Sequence, residues 1–331
     1  MNCIRKCFDS LYDISKPILF FLSKHDPHLA HELFVEFSRL AHRLKLESIL
    51  LDNDANYTKK NVIISNAAGF NKNGFIPPLF LRYLGFDRVV IGTVTGEPWK
   101  GNPRPHTLRL TESELLINWM GLPGMGAGRV RRRLMKLKHN DIPITINIAP
   151  TPNKRGDDAL RDLEKTVDAL KTFSFVDRFE LNISCPNTEV DRNNYHKELQ
   201  AFITALQSKM NDYQKLYIKI SPDLLENEID ETVSVIRLMN VDGIVTTNTT
   251  TQHNYQQGGA SGDLLYERSF ATQKLFYEKL KNTHVKIIAC GGISSLARLQ
   301  ERINFGSREV QIFTSLIFQG PRLLRDLRKI I

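Results

Sequence analysis

Along this 331-residue chain, polar residues able to do chemistry recur at the ends of short β-branched runs. They are Asn66-Ala67-Ala68-Gly69-Phe70-Asn71-Lys72, Gly92-Thr93-Val94-Thr95, Asn147, Asn182-Ile183-Ser184-Cys185-Pro186-Asn187-Thr188, Lys219, Thr247-Asn248-Thr249, Gly291-Gly292 and Phe313-Thr314-Ser315. An amide side chain donates and accepts at once, so a ring of asparagines suits a flat heterocycle whose edge alternates N–H and C=O, as in a pyrimidine. Lys72 and Lys219 would supply charge for a carboxylate or a flavin ring edge. Gly291-Gly292 and Thr314-Ser315 offer backbone N–H groups of the kind that hold phosphate. Taken singly, each asparagine reads as a turn former and the glycine pair as a tight turn; their joint placement after successive strands points to a site. Cys3, Cys7, Cys185 and Cys290 have no metal-ligand spacing, so neither a metal site nor a disulfide framework is expected.

The elements that must position these groups are legible from periodicity. Eight β-branched segments, Ile63 to Ala67, Val89 to Val94, Ile144 to Ile148, Arg178 to Ile183, Leu216 to Ile220, Gly243 to Thr247, Lys286 to Cys290 and Glu309 to Thr314, alternate with amphipathic stretches of helical length. This predicts an α/β chain with a parallel sheet. No Gly-x-Gly-x-x-Gly turn follows the first strand, and polar residues cluster past strand ends, which favours a TIM (β/α)8 barrel over an open doubly wound sheet. The segment Pro103 to Asn118 reads as a hairpin at the barrel mouth. Residues 1–45 form a small N-terminal helical extension of two amphipathic helices broken at Lys24-His25-Asp26-Pro27, and residues 46–331 form the barrel. The apolar stripes Ile4, Phe8, Leu11, Ile14 and Leu33, Phe34, Phe37, Leu40, Ala41, Leu44 suit packing on the barrel or contact with a lipid surface.

The composition, 41% hydrophobic and 24% charged, excludes disorder. The longest early apolar run, Pro17 to Leu22, is far short of the ~20 residues that span a bilayer, and no cleavage motif follows it. The chain is therefore expected to be neither secreted nor membrane-spanning. A net charge of +9 permits an anionic substrate, a lipid surface or nucleic acid. Six basic residues crowd into Arg129 to Lys138, where Val130, Leu134 and Leu137 fall at helical spacing, so a barrel helix with a solvated basic face is expected and nucleic acid is not.

The chain resembles the class 2, quinone-dependent dihydroorotate dehydrogenases almost from end to end. The resemblance is carried by His25 to Leu33, Ala67 to Gly74, Ile91 to Thr95, Gly101 to Pro105, Ile117 to Gly121, Asn182 to Thr188, Ile218 to Leu224, Thr246 to Thr250, Gly258 to Gly262 and Val310 to Phe313. It implies an FMN held by Ala68, Gly69, Thr93, Asn147, Asn182, Lys219, Thr247, Ser261, Gly262, Gly291, Gly292, Phe313, Thr314 and Ser315. It implies that Lys72, Asn118, Asn182, Asn187, Asn248 and Thr249 bind dihydroorotate or orotate, that Cys185 is the catalytic base, and that His31 and Arg109 line a quinone tunnel. It further implies a peripheral membrane protein, on the cytoplasmic face of a bacterial-type inner membrane, attached through its N-terminal helices. The sequence departs from the class 2 pattern at several points. Cys185 stands where class 2 carries Ser, as in the soluble class 1; Leu122-Pro123 are also class 1-like; Glu189 to Arg192 replace a glycine-containing lid; Gly124, Trp119, Asn71, Asn73 and Phe313 replace customary residues. An FMN barrel acting on another dihydropyrimidine, or a non-catalytic homologue, are the rival readings.

Overall fold

The computed structural model describes residues 2–46, 62–137, 141–183 and 195–330. Eleven strands are described: β1 (Ile63–Asn66), β2 (Val89–Val94), β3 (Thr107–Leu110), β4 (Leu115–Asn118), β5 (Ile144–Ile148), β6 (Val176–Asn182), β7 (Lys215–Ile220), β8 (Gly243–Thr246), β9 (Gly259–Gly262), β10 (Lys286–Cys290) and β11 (Ser307–Ile312). Eight of them form one parallel sheet in the order β1-β11-β10-β8-β7-β6-β5-β2, the eight expected from periodicity, with helices between them. Strands such as β2 and β5 are buried along their whole length because a barrel strand faces packed side chains on one side and helices on the other.

The sheet closes between β1 and β2 through a backbone bridge at Ser65 and Arg88 that side chains extend on either side. The Asn66 amide donates to the Val90 carbonyl at 2.8 Å and accepts from the Val90 N–H at 3.0 Å, reproducing a ladder pair. One residue pair further back, Asp87 Oδ2 accepts from the Ile64 N–H at 2.9 Å. Asn66, which the sequence places among the chemical groups, is therefore a seam residue.

The hairpin forms as expected from β3 and β4, and β9 adds a third antiparallel strand that periodicity does not reveal. A four-residue Gly-Ala-Ser-Gly segment has almost no side-chain pattern to read. This small sheet stands on the barrel mouth beside two N-terminal helices, α1 (Asn2–Leu22) and α2 (His28–Arg43). Residues 47–61, where the extension joins the barrel, lie outside the described residues.

The apolar arc of α2 divides. Phe34 packs against Phe70 and Phe80, and Ala41 is buried, whereas Leu33, Phe37, Leu40 and Leu44 on the adjoining face are exposed. On α1, Leu11, Ile14, Ile18 and Phe21 are also exposed, Phe21 by 77%. An arc this wide exceeds what one helix face can bury against a single neighbour. Among the described residues no helix is long and apolar enough to cross a membrane. The basic decapeptide supplies a helix over Ala127–Leu134 that buries Val130 and Leu134 and leaves Arg129, Arg131 and Arg132 exposed.

Candidate active site

A cavity of about 690 Å³ opens at the C-terminal ends of the barrel strands and continues between α1 and α2. Alternation along each strand decides what reaches it. Lys219 on β7 and Asn182 on β6 point inward, Thr93 comes from β2, Cys290 from β10 and Gln311 from β11. Of the described residues expected in the site, Lys72, Asn118, Asn182, Asn248, Thr249, Ala68, Gly69, Thr93, Lys219, Thr247, Ser261, Gly262, Gly291, Gly292, Phe313, Thr314, Ser315, His31 and Arg109 all line this cavity. Asn147 is buried one layer below it, bonded to Thr93. Asn71 turns away, its amide accepting from the Ile76 N–H and donating to the Ile76 carbonyl. Cys185, Asn187 and the segment Glu189 to Arg192 lie outside the described residues.

The inner wall is one hydrogen-bonded chain. Asn248 Nδ2 donates to Asn182 Oδ1 at 3.1 Å, Asn182 Nδ2 to Thr93 Oγ1 at 3.1 Å, Thr93 Oγ1 to Asn147 Oδ1 at 2.5 Å, and Asn147 Nδ2 to Glu180 Oε1 at 2.7 Å. Gln311 Nε2 donates to the other Glu180 oxygen at 2.6 Å, and Lys219 Nζ lies 3.3 Å from Gln311 Oε1 and 3.8 Å from Glu180. The Cys290 thiol lies 4.0 Å from Lys219 Nζ, and burial pushes its pKa up.

Opposite this wall, the Ser261 and Thr314 hydroxyls meet at 2.8 Å, and Gly291 and Gly292 turn beside them with positive φ. Arg302, fully buried, braces that turn from behind by donating to the Gly291 carbonyl at 2.9 Å and to Gln273 Oε1 at 3.0 Å. Burial lowers its pKa to about 10. The glycine turn and the clustered hydroxyls fit a phosphate, and the buried ammonium and amides beyond them fit a polar planar ring.

Glu180, Gln311 and Arg302 escape a reading of strand ends. Each carries a faint signal: Glu180 and Gln311 stand two residues before Asn182 and Phe313, hence on the same inward face, and Arg302 stands three after buried Leu299.

At the outer end, Arg109 of β3 donates to the Phe20 carbonyl at 2.7 Å and to Ser23 Oγ at 3.1 Å, with its guanidinium 3.8 Å over the Phe20 ring. It thus caps the C-terminus of α1, where the carbonyls lack helical partners. His31 of α2 stacks edge-on to Phe70, with ring centroids 5.6 Å apart. Burial first, then His28 and Lys72, holds its pKa down to about 3; burial and Lys72 hold His28 at about 4. Both rings are neutral at physiological pH. The unfolded chain, with histidines near 6.5, binds more protons than the native one as pH falls below 6.5, so stability is lost from there toward 3. We expect amide protection in α2, relative to the barrel strands, to fall between pH 7 and 4.5, and His31→Phe to flatten that dependence. Constant relative protection would contradict it.

An eight-stranded barrel with a polar, ligand-sized mouth under a helical cap is the build of a barrel enzyme for a small polar substrate, with the site where such enzymes carry it. A family profile described as dihydroorotate dehydrogenase matches residues 51–331. The chain is 34% identical over 272 residues to a dihydroorotate dehydrogenase (quinone) of Natronomonas pharaonis, covering 80% of this chain and 75% of that one. It is 32% identical over 329 residues to one of Escherichia coli, covering 91% and 95%. The ligand-free DHODH of Eimeria tenella superposes with a TM-score of 0.80 at 27% identity, over 92% of this chain and 93% of that chain. The same enzyme in complex with ferulenol gives 0.81 at 27% identity, over 91% and 89%. The chain belongs to the dihydroorotate dehydrogenase family.

Proposed function

We infer that this chain oxidises dihydroorotate to orotate in pyrimidine biosynthesis and passes the electrons to a quinone. The observation that carries the reading is that this cavity is continuous, joining a polar barrel mouth to an apolar passage lined by Leu11, Leu19, Phe20, Leu33, Phe34 and Phe37 between α1 and α2. One end suits a planar carboxylate, the other a hydrophobic ring and tail.

In this reading Gly291, Gly292, Thr314 and Ser315 would hold the phosphate of an FMN, and Thr93, Lys219 and Ala68 would hold its ring. The chemistry it supplies is acceptance of a hydride from C6 of the substrate and onward transfer of two electrons. Lys72 pairs with the substrate carboxylate, and Asn118, Asn182, Asn187 and Asn248 bond the ring amides. Cys185, as thiolate, takes the proton from C5. Around them the chain's main work is to fix the two partners in register and keep water out. Arg109 and His31 hold the passage open to a quinone, and the exposed stripes of α1 and α2 rest on the membrane, peripherally and at the cytoplasmic face. Those helices carry few net charges, so apolar burial drives that contact.

The test is anaerobic addition of dihydroorotate to the yellow protein, followed by a short-chain quinone. Bleaching and then recovery is expected; bleaching only by a different dihydropyrimidine, or no flavin at all, would replace the reading. Arg109→Ala removes charge-assisted bonds of about 1.5–3 kcal/mol from the end of α1. Quinone-dependent turnover should drop roughly tenfold or more while dichlorophenolindophenol reduction changes little. Equal losses with both acceptors would remove Arg109 from the passage.

A further inference from the structure

Glu180 is fully buried in the barrel interior and does not line the cavity, yet one of its oxygens accepts from Gln311, which does line it, and the other from Asn147, which bonds the cavity residue Thr93. We propose that Glu180 is a positioning residue of the active site, setting the charge presented at Lys219 and the direction in which the amides of Asn147, Asn182 and Asn248 face. The proposal rests on the reading of this cavity as the FMN and dihydroorotate site.

A carboxylate only accepts hydrogen bonds. Asn147 must therefore turn its NH₂ toward Glu180, which leaves Oδ1 for the Thr93 hydroxyl. With its proton committed to Asn147, Thr93 can only accept from the Asn182 NH₂, and Asn182 Oδ1 then receives the Asn248 NH₂. Asn248 Oδ1 completes the run by accepting from the Thr249 N–H at 2.9 Å. An acceptor-only carboxylate at the closed end and the donor-only Thr249 N–H at the cavity end bracket the run, and the amides of Asn182 and Asn248 reach the cavity in the one orientation that satisfies both. On the other branch, Gln311 gives its NH₂ to Glu180 and so turns its carbonyl oxygen to Lys219. The carboxylate 3.8 Å from Nζ offsets the charge of an ammonium that is only 4% exposed.

Glu180→Gln keeps the shape, removes the charge and adds a donor that permits Asn147 to turn over. Two quantities are measured on the flavin-loaded protein: the dissociation constant of orotate, from the flavin absorbance change, and the midpoint potential of the bound flavin. Orotate should bind about tenfold more weakly. The potential should move positive by about 30 mV, a tenfold shift for a two-electron couple, because loss of the negative charge beside Lys219 favours the more electron-rich reduced ring. Glu180→Asp keeps the charge but withdraws the carboxylate from Asn147; orotate affinity should fall with the potential unmoved, and this variant decides the matter if the glutamine protein does not fold. Unchanged affinity and potential in the variant that folds, even with a lower melting temperature, overturns the proposal and leaves Glu180 a structural charge. Bleaching of the unaltered protein by dihydroorotate tests the underlying reading separately: flavin that is present but not bleached removes that reading, and the shift in potential still decides the role of Glu180. Protein that takes up no flavin overturns both.

Discussion

Cys185→Ala slows dihydroorotate-dependent bleaching of the bound flavin by roughly 10²–10⁴-fold, the usual contribution of a positioned base, and leaves the flavin in place. The expectation follows from what a base at that position must do. A C–H proton next to a carbonyl leaves only when a group of suitable pKa stands over it, and a thiol, ordinarily near ~8.5, is partly ionised at neutral pH where a serine hydroxyl is not. Cys185 follows in the chain three residues after Asn182, the last residue of β6 and one that lines the cavity. Flavin retention is expected because the groups assigned to it, Asn182 apart, come from other strands. Cys185→Ser should lie between the two, with its deficit largest at neutral pH and narrowing in alkali, where the thiolate fraction of the unaltered protein saturates while the ionised fraction of a serine hydroxyl keeps rising. Stopped-flow bleaching in anaerobic buffer from pH 6 to 10 measures this directly. Reduction rates that match the unaltered protein across that range would remove Cys185 from the base role.

The second large effect is loss of the cofactor in Gly292→Val. Gly292 has φ +66, and a Cβ there would meet Tyr266 Cβ at 2.6 Å and the Gly262 carbonyl at 3.0 Å. The left-handed backbone alone costs a β-branched residue about 1–3 kcal/mol, and the contacts require the turn to move away from its neighbours. That turn is braced by Arg302 through the Gly291 carbonyl, so it cannot shift freely. The valine protein should purify with little flavin, read as the ratio of absorbance at 450 and 280 nm, and with a lowered melting temperature. Gly128→Ala is the control: nothing lies within 4 Å of its Cβ in the helix Ala127–Leu134, and alanine there should be neutral or slightly stabilising. A Gly292→Val protein with full flavin content would place the phosphate elsewhere.

Residue types and spacing carried much of the molecule. The eight barrel strands stand out because parallel strands buried on both faces are short β-branched runs, and the hairpin at Thr107–Asn118 has its own alternation. The polar groups past the strand ends mark the site because a barrel gathers one end of every strand at one mouth. Local pattern cannot separate asparagines with different work. Asn66 closes the barrel seam, Asn71 ties its own loop, Asn147 lies one layer down, and Asn182 and Asn248 reach the cavity. All five lie at or near the ends of similar strands, and only the tertiary arrangement of those strands and their loops sorts them.

The sequence by itself determined the barrel, the extension of paired helices, the family resemblance and the kinds of group at the mouth. Those properties follow from hydrophobic period and from the chemistry of individual side chains. Only the tertiary structure decided that α2 packs Phe34 against Phe70 and Phe80 and leaves Leu33 and Phe37 exposed, that Arg109 caps α1, and that Glu180 accepts from both Asn147 and Gln311. Arg109 and Phe20 are 89 residues apart in the chain, and Gln311 and Glu180 are 131 apart. A hydrogen bond acts over about 3 Å, so its partner is fixed by which strands and helices lie side by side, and that is settled when the barrel closes.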